Sequence, residues 1–194
     1  SRQYIAGGSA NPSANIVNLG SRALQVGIIG DDDSGKQLTH VLQSKGIDTT
    51  GLIICHDRPT TVKTRIMAQM GLRFPQQVAR IDTLSRDPIS HLVEEQILAY
   101  VHRESEIDGI LLSHYHGGLL TQSLIESIKD MQKKGTLITV DAQGELEKFN
   151  GLDVIKCNAD DASTYLDREL ESNEDFEAAA RELYELLNVG RVMV

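Results

Sequence analysis

The stretch Leu24-Gln25-Val26-Gly27-Ile28-Ile29 (LQVGII), followed by Gly30-Asp31-Asp32-Asp33-Ser34-Gly35 and a run through Lys45, reads as a strand, a tight turn and a helix. Leu38, Val41 and Leu42 recur at i, i+3 and i+4, which puts them on one helical face, and Gly46 supplies the stop. The same alternation continues downstream. A helix over Ile89 to His102 precedes a strand at Gly109 to Ser113, and a helix over Thr121 to Lys134, ended by Gly135, precedes a strand at Leu137 to Asp141. Val154 to Cys157 and Val192 to Val194 are further strands, with helices near Asp160 to Tyr165 and Glu174 to Leu187. Short apolar runs alternating with amphipathic ones predict an α/β fold with a largely parallel sheet. One stretch breaks the alternation: Leu52 to Cys55, Thr61 to Ala68 and Gln76 to Ile81 are all strand-like. The last two join across Met70-Gly71-Leu72-Arg73-Phe74-Pro75 as an antiparallel hairpin.

Composition narrows the functional classes. The chain has 194 residues, suited to one domain or most of one, and carries 19 Lys plus Arg against 28 Asp plus Glu, a net charge of −9. Such an acidic chain is a poor binder of nucleic acid or of an anionic membrane surface. Aromatics are only 4% and Trp is absent, which disfavours base-stacking platforms. Cys55 and Cys157 are far apart and form neither a zinc motif nor a disulfide framework, so a reducing cytoplasm is expected. Ser1 to Asn11 lacks the pattern of a signal peptide. With no initiator Met and a strand-like Arg191 to Val194 at the other end, the sequence reads as cut at both ends.

Chemistry in open α/β sheets gathers at the carboxyl ends of strands, here Gly30-Asp31, Ser113-His114-Tyr115-His116, Asp141 and Asn158. Gly30 to Lys36 fits the G-x-x-x-x-G-K spacing of a phosphate-binding loop. Gln37 stands where a magnesium-binding hydroxyl belongs, however, and three adjacent aspartates would repel phosphates, so the motif reads as an Asp-rich helix start. Gly7-Gly8-Ser9-Ala10-Asn11 runs into a helix with apolar Ile16, Val17 and Leu19. It serves either as turn and cap or as a close approach to a ligand, with Asn11 donating to and accepting from a sugar hydroxyl. His114 and His116 read as lining a polar pocket, since no further His or Cys lies nearby to complete a metal site. Asn158-Ala159-Asp160-Asp161 is a helix cap, or alternatively places Asp161 on a hydrated magnesium ion and Asn158 near nucleotide phosphates.

Taken in order, these pieces resemble the ribokinase-like (PfkB) carbohydrate kinases. Gly7-Gly8, Asn11, Ser13, Gly20 and Gly30 follow that family's amino-terminal signature. Pro59 to Arg65 with Gln77, Arg80 and Asp82 resemble the lid strands of its heptose-phosphate kinase branch; Asp141-Ala142-Gln143-Gly144 resembles that branch's D-P-K-G, and Asn158 to Asp161 the family's N-x-x-E. The resemblance implies a ribokinase-like three-layer α/β sandwich with a mostly parallel sheet and a small β lid near residues 51–82, a single partial kinase domain over residues 1–194. It implies transfer of the ATP γ-phosphoryl group to a sugar hydroxyl with magnesium. By that resemblance Gly8, Asn11, Lys63 and Arg80 would contact the sugar, and Asn158 and Asp161 the nucleotide phosphates and metal; separately, an exposed β-edge seeks a partner, so the lid edge is expected to pair with a second copy as a homodimer.

The family's G-A-G-D segment, which carries the catalytic Asp, is absent from these residues, so the fragment alone is expected to be inactive. Gly117 and Gln143 stand where the heptose branch has lysines, and His114 where it has Asp, which weakens the case for a phosphorylated sugar and leaves heptose phosphate open but not favoured. Two other readings stay open: a nucleoside kinase of the same fold, and a non-catalytic sugar-binding protein on a degenerate kinase fold.

Overall fold

The computed structural model describes residues 3–69, 71, 74–104, 106–132 and 135–194. The chain divides into two compact units, 1–87 with 117–119, and 88–116 with 120–194. In the first, β1 (Leu24–Gly30) runs parallel to β2 (Asp48–Cys55). Helices α1 (Asn11–Asn18) and α2 (Asp33–Ser44) belong to the same unit. Ala10, Ala14, Ala23, Leu42 and Ile47 form its buried core, with Ile16, Val17, Leu38, Val41 and Leu52 against it. The expected helical face of α2 is thereby confirmed. Leu19, expected as an apolar position of the first helix, is instead 86% exposed, because α1 ends at Asn18 and turns its small residues Ser13 and Ala14 inward.

Helix α2 ends as its sequence predicts. The Gly46 N–H donates to the Gln43 carbonyl and the Ile47 N–H to that of Leu42, with Gly46 at φ +76°, the paired closure that favours glycine. Strand β2 starts at Asp48, four residues before the apolar run. Asp48 pairs with Leu24, and Thr50 donates to the Asp48 carboxylate through both its N–H and its hydroxyl, so polar groups extend the strand beyond the reach of hydrophobic periodicity.

The hairpin is present as β3 (Val62–Ala68) antiparallel to β4 (Gln76–Thr83), with a register shift between Ile66 and Met67. Met70, Leu72 and Arg73 of its connection lie outside the described residues. The pairings Lys63 with Asp82 and Arg65 with Arg80 put those four side chains on one face, and the alternation sends Ile66 and Ile81 to the other, where they are 44% and 57% exposed.

The second unit holds four parallel strands in the order β5 (Gly109–Ser113), β6 (Leu137–Asp141), β7 (Val154–Lys156) and β8 (Arg191–Met193). Its helices are α3 (His91–Arg103), α4 (Gln122–Lys129), α5 (Ala159–Leu166) and α6 (Asn173–Leu186). Ile138, Val140, Ile155, Phe149, Leu183 and Ile125 are its buried centre, while Leu111 of β5 and Leu137 of β6 are 42% and 45% exposed. Helix α4 stops at Lys129, before the expected Lys134; the last two residues of that expected span, Lys133 and Lys134, lie outside the described residues. Thr121 caps α4 and also donates to the buried Glu94 carboxylate, which accepts from Ser123 as well. Those hydroxyls, outweighing burial, hold Glu94 below the usual carboxylate range, so α3 and α4 are tied by a satisfied buried charge.

The Asp-rich turn explains itself structurally. Asp32 caps α2 by accepting from the Gly35 N–H at 2.8 Å, and it accepts from the Thr60 N–H at 2.8 Å and the Thr60 hydroxyl at 2.7 Å. The Thr60 hydroxyl in turn accepts from the Gly30 N–H at 2.8 Å. The carboxylate is thus consumed in fastening the start of the hairpin to the end of β1. The Thr60 N–H, working against burial and aided by the Thr60 hydroxyl and the Gly35 N–H, lowers the Asp32 pKa. A carboxyl with a depressed folded-state pKa contributes stability above its unfolded value of about 3.9 and loses it as pH falls toward the folded one. Asp32→Asn is therefore expected to be less stable than wild type at pH 7, with the gap narrowing as pH falls below about 4. Urea midpoints measured across that range check it, and a constant gap would exclude the carboxylate's charge as the cause.

Candidate functional site

Parallel strands bring their carboxyl ends to one edge of the sheet, so residues distant in sequence meet there. Ser113, Asp141 and Lys156 are the last residues of β5, β6 and β7, and Ser113 pairs with Asp141 and Asp141 with Lys156. Asp141 Oδ1 accepts from Lys156 Nζ at 2.8 Å, and Oδ2 from the Tyr115 hydroxyl at 3.3 Å. The hydrogen bond to Asp141 raises the Lys156 pKa, against burial; burial and then the Asp141 charge raise that of Tyr115. Asp141 therefore anchors this edge and is not a free general base.

Beyond β6 the chain turns through Gly144 and Glu145, both left-handed at φ +63° and +47°. This brings the Glu145 carboxylate to 2.9 Å from His114 Nε2, 3.6 Å from His116 Nδ1 and 3.4 Å from Lys148 Nζ. His114 is buried, edge-on to Phe149 at 5.3 Å, and its ring centroid lies 4.6 Å from that of His116. Burial and then the neighbouring His116 push the His114 pKa down. Lys148 and His114, outweighing burial, hold Glu145 below its ordinary range. The expectation is of two histidines lining a polar pocket; the structure instead buries His114 and brings both rings to Glu145. No spacing rule pointed to Glu145, since it reaches the histidines only through a left-handed turn on the adjacent strand.

The Asn158 side chain accepts from the Asp161 N–H at 2.8 Å, so the expected cap of α5 is present. A cavity of about 340 Å³ is lined by Gly144, Glu145, Leu146, Glu147, Asp161, Thr164 and Tyr165. Asp161 Oδ2 is buried and has no hydrogen-bond partner. A carboxylate oxygen without a donor is costly to bury, and Asp161 offers the hard oxygen that magnesium prefers; Glu145 and Glu147 line the same cavity but do not bring their oxygens together with it at one point. Asp161 thus fits the magnesium that the sequence resemblance implies, with water to complete the ion's shell. Cys157, whose thiol burial and then the Asp161 charge push up to about 11, stays a neutral packing group.

The sugar-side candidates lie in the first unit. Gly8 sits at φ +48° in a one-turn 3-10 helix, Gly8–Ala10, with no atom within 4 Å of where a Cβ would stand, and Asn11 follows it, exposed. Lys63 and Arg80 share the polar face of the hairpin, where Arg80 pairs with Asp82 at 3.0 Å. Each unit thereby gathers its own group: Lys63 and Arg80 on one hairpin face, Asn158 and Asp161 at the α5 start.

Comparison with known proteins agrees with this architecture. The chain is 32% identical over 191 residues to the bifunctional protein HldE of Helicobacter pylori strain J99, covering 97% of this chain and 40% of that protein. It is 34% identical over 162 residues to HldE of Wolinella succinogenes, covering 80% and 32%. The chain thus spans about two fifths or less of these relatives. Among solved structures, Escherichia coli phosphofructokinase-2 in complex with fructose-6-phosphate superposes with a TM-score of 0.75 at 20% identity, covering 96% of this chain and 60% of the other. Arabidopsis thaliana ribokinase complexed with ribose and ATP gives 0.69 at 18%, covering 96% and 59%. These neighbours identify a ribokinase-like α/β fold. The family model for pfkB family carbohydrate kinases matches residues 1–192, and the chain therefore belongs to that family.

Proposed function

We propose that these residues are the sugar-side portion of an ATP- and magnesium-dependent carbohydrate kinase that transfers the γ-phosphoryl group to a sugar hydroxyl. The observation that supports this most is the unpartnered buried oxygen of Asp161, a residue that lines an acidic cavity at the start of α5. Magnesium, when bound, would neutralise charge on the transferring phosphoryl group. Asn158 holds the first turn of α5, and Asp161 would supply an oxygen ligand directly or through water. Gly8 leaves room for close backbone approach of the sugar, and Asn11 can donate to one hydroxyl while accepting from another. The hairpin acts as the lid that excludes water, with Lys63 and Arg80 on its substrate side. The exposed strand edge of this lid pairs with a second copy to form a homodimer. A general base is supplied by the full-length protein from outside these residues.

A second reading, a phosphorylated sugar as acceptor, is favoured by Lys63, Arg65 and Arg80 on one hairpin face with Asp82 as the one carboxylate among the paired positions. Coupled ADP release by the full-length protein with ATP, magnesium and a panel of free sugars, sugar phosphates and nucleosides decides these points. Sugar-dependent turnover is expected. A faster rate with a phosphorylated member identifies the second reading, turnover with nucleosides alone overturns both, and silence with sugar binding retained identifies a binding protein.

A further inference from the structure

Three side chains at the carboxyl edge have no role in the phosphoryl transfer proposed above. His114, His116 and Glu145 each present one donor atom such that all three lie within 4.8 Å of one another, the one such group of His, Cys, Asp and Glu among the described residues. We infer that a ring nitrogen from each histidine and a carboxylate oxygen of Glu145 bind a divalent transition-metal ion of the zinc type, linking the segment after β5 to the segment after β6.

The donor set carries the choice of metal. Two imidazoles and one carboxylate match zinc, whereas magnesium takes oxygen ligands and retains its water, so this site differs in donor chemistry from Asp161, although Glu145 also lines the cavity beside it. The geometry agrees. Ligand atoms about 2.0 to 2.2 Å from a tetrahedral zinc lie roughly 3.3 to 3.5 Å apart. The carboxylate oxygen stands 2.9 Å from His114 Nε2 and 3.6 Å from His116 Nδ1, so small rotations admit an ion. The backbone preorganises the set, with His116 and Glu145 both held left-handed, and Phe149 packs against the His114 ring. Three protein ligands leave a fourth position for water or another oxygen ligand. One group opposes binding: Lys148 Nζ lies 3.4 Å from the same Glu145 oxygen and must swing aside.

Titration calorimetry with zinc alone tests this on full-length protein stripped by a chelator, in excess magnesium and without sugar or nucleotide, so that it is independent of the kinase reading. One zinc per chain is expected that magnesium does not displace, and cobalt in its place is expected to give a visible spectrum lacking a thiolate band. His116→Ala and Glu145→Gln, both at partly exposed positions, are each expected to weaken zinc binding about tenfold or more with the melting curve of the metal-free protein retained, and Lys148→Ala to strengthen it. Absence of stoichiometric binding, zinc binding indifferent to both substitutions, or a thiolate band from Cys55 or Cys157 would overturn the site.

Discussion

Asp161→Asn is expected to lower sugar-dependent ADP release by the full-length protein about 100-fold or more, with folding retained. The substitution keeps shape and volume. It leaves the cap intact, because Asn158 accepts from the Asp161 backbone N–H and not from its side chain. What it removes is one negative charge whose buried oxygen has no donor in the protein. Loss of a favourable charge near the start of α5 costs about 0.5 kcal/mol, and relief of an unsatisfied buried carboxylate acts in the opposite direction, so the melting temperature should hardly move. A merely structural Asp would show the reverse pattern, altered melting with little change in rate. The variant is also expected to need more magnesium for half-maximal rate, and an unchanged magnesium dependence with kcat within about threefold of wild type would dismiss Asp161 as a metal-binding residue.

Gly35→Ala is expected to destabilise the protein by about 2 to 4 kcal/mol, although Gly35 lies inside a helix. Helix propensity alone predicts a gain of up to about 1 kcal/mol from this change. Packing decides the sign: an added Cβ would stand 2.6 Å from the Gly30 carbonyl oxygen and 2.9 Å from the Thr60 hydroxyl oxygen. Neither is the end of a flexible side chain; one is backbone, and the other is held by Gly30 and Asp32. The methyl group therefore pushes apart the joint between β1, α2 and the hairpin. Gly46→Ala serves as the control, since its Cβ meets nothing within 4 Å and only its positive φ is strained, costing about 1 kcal/mol. Equilibrium unfolding in urea separates the two, and a Gly35 variant as stable as wild type would mean that the joint is plastic.

Sequence periodicity was sufficient for the α/β architecture because several helices carry local start or stop signals. Gly46 marks the end of α2 by positive φ, and Asp32, Thr121, Asn158 and Ser172 cap the starts of α2, α4, α5 and α6 with oxygens that sequence places directly before them. Strand β2 exceeded its apolar run because polar residues such as Asp48 add backbone pairing without adding hydrophobicity. The candidate site divides along the same line. Asn158 and Asp161 are neighbours in one motif, so the cap linking them was legible. The contact of Glu145 with His114 joins two strands, and that of Asp32 with Thr60 crosses from a helix start to a hairpin start. Such meetings depend on register and on left-handed turns, which composition does not encode. The resemblance to carbohydrate kinases supplied roles for Lys63 and Arg80 that their exposed positions on a hairpin would not suggest.

The order of strands in the second unit has a consequence for synthesis. Its outer strand β8 pairs with β7 only after α5 and α6 have been made, whereas β3 and β4 close on each other locally. As the chain emerges from the ribosome, the hairpin can form early, while β7 must wait for its second neighbour with one row of backbone groups unpaired. Chaperone dependence during expression should therefore concentrate in the interval between completion of β7 and arrival of β8, and a pause placed in α6 would lengthen that vulnerable interval.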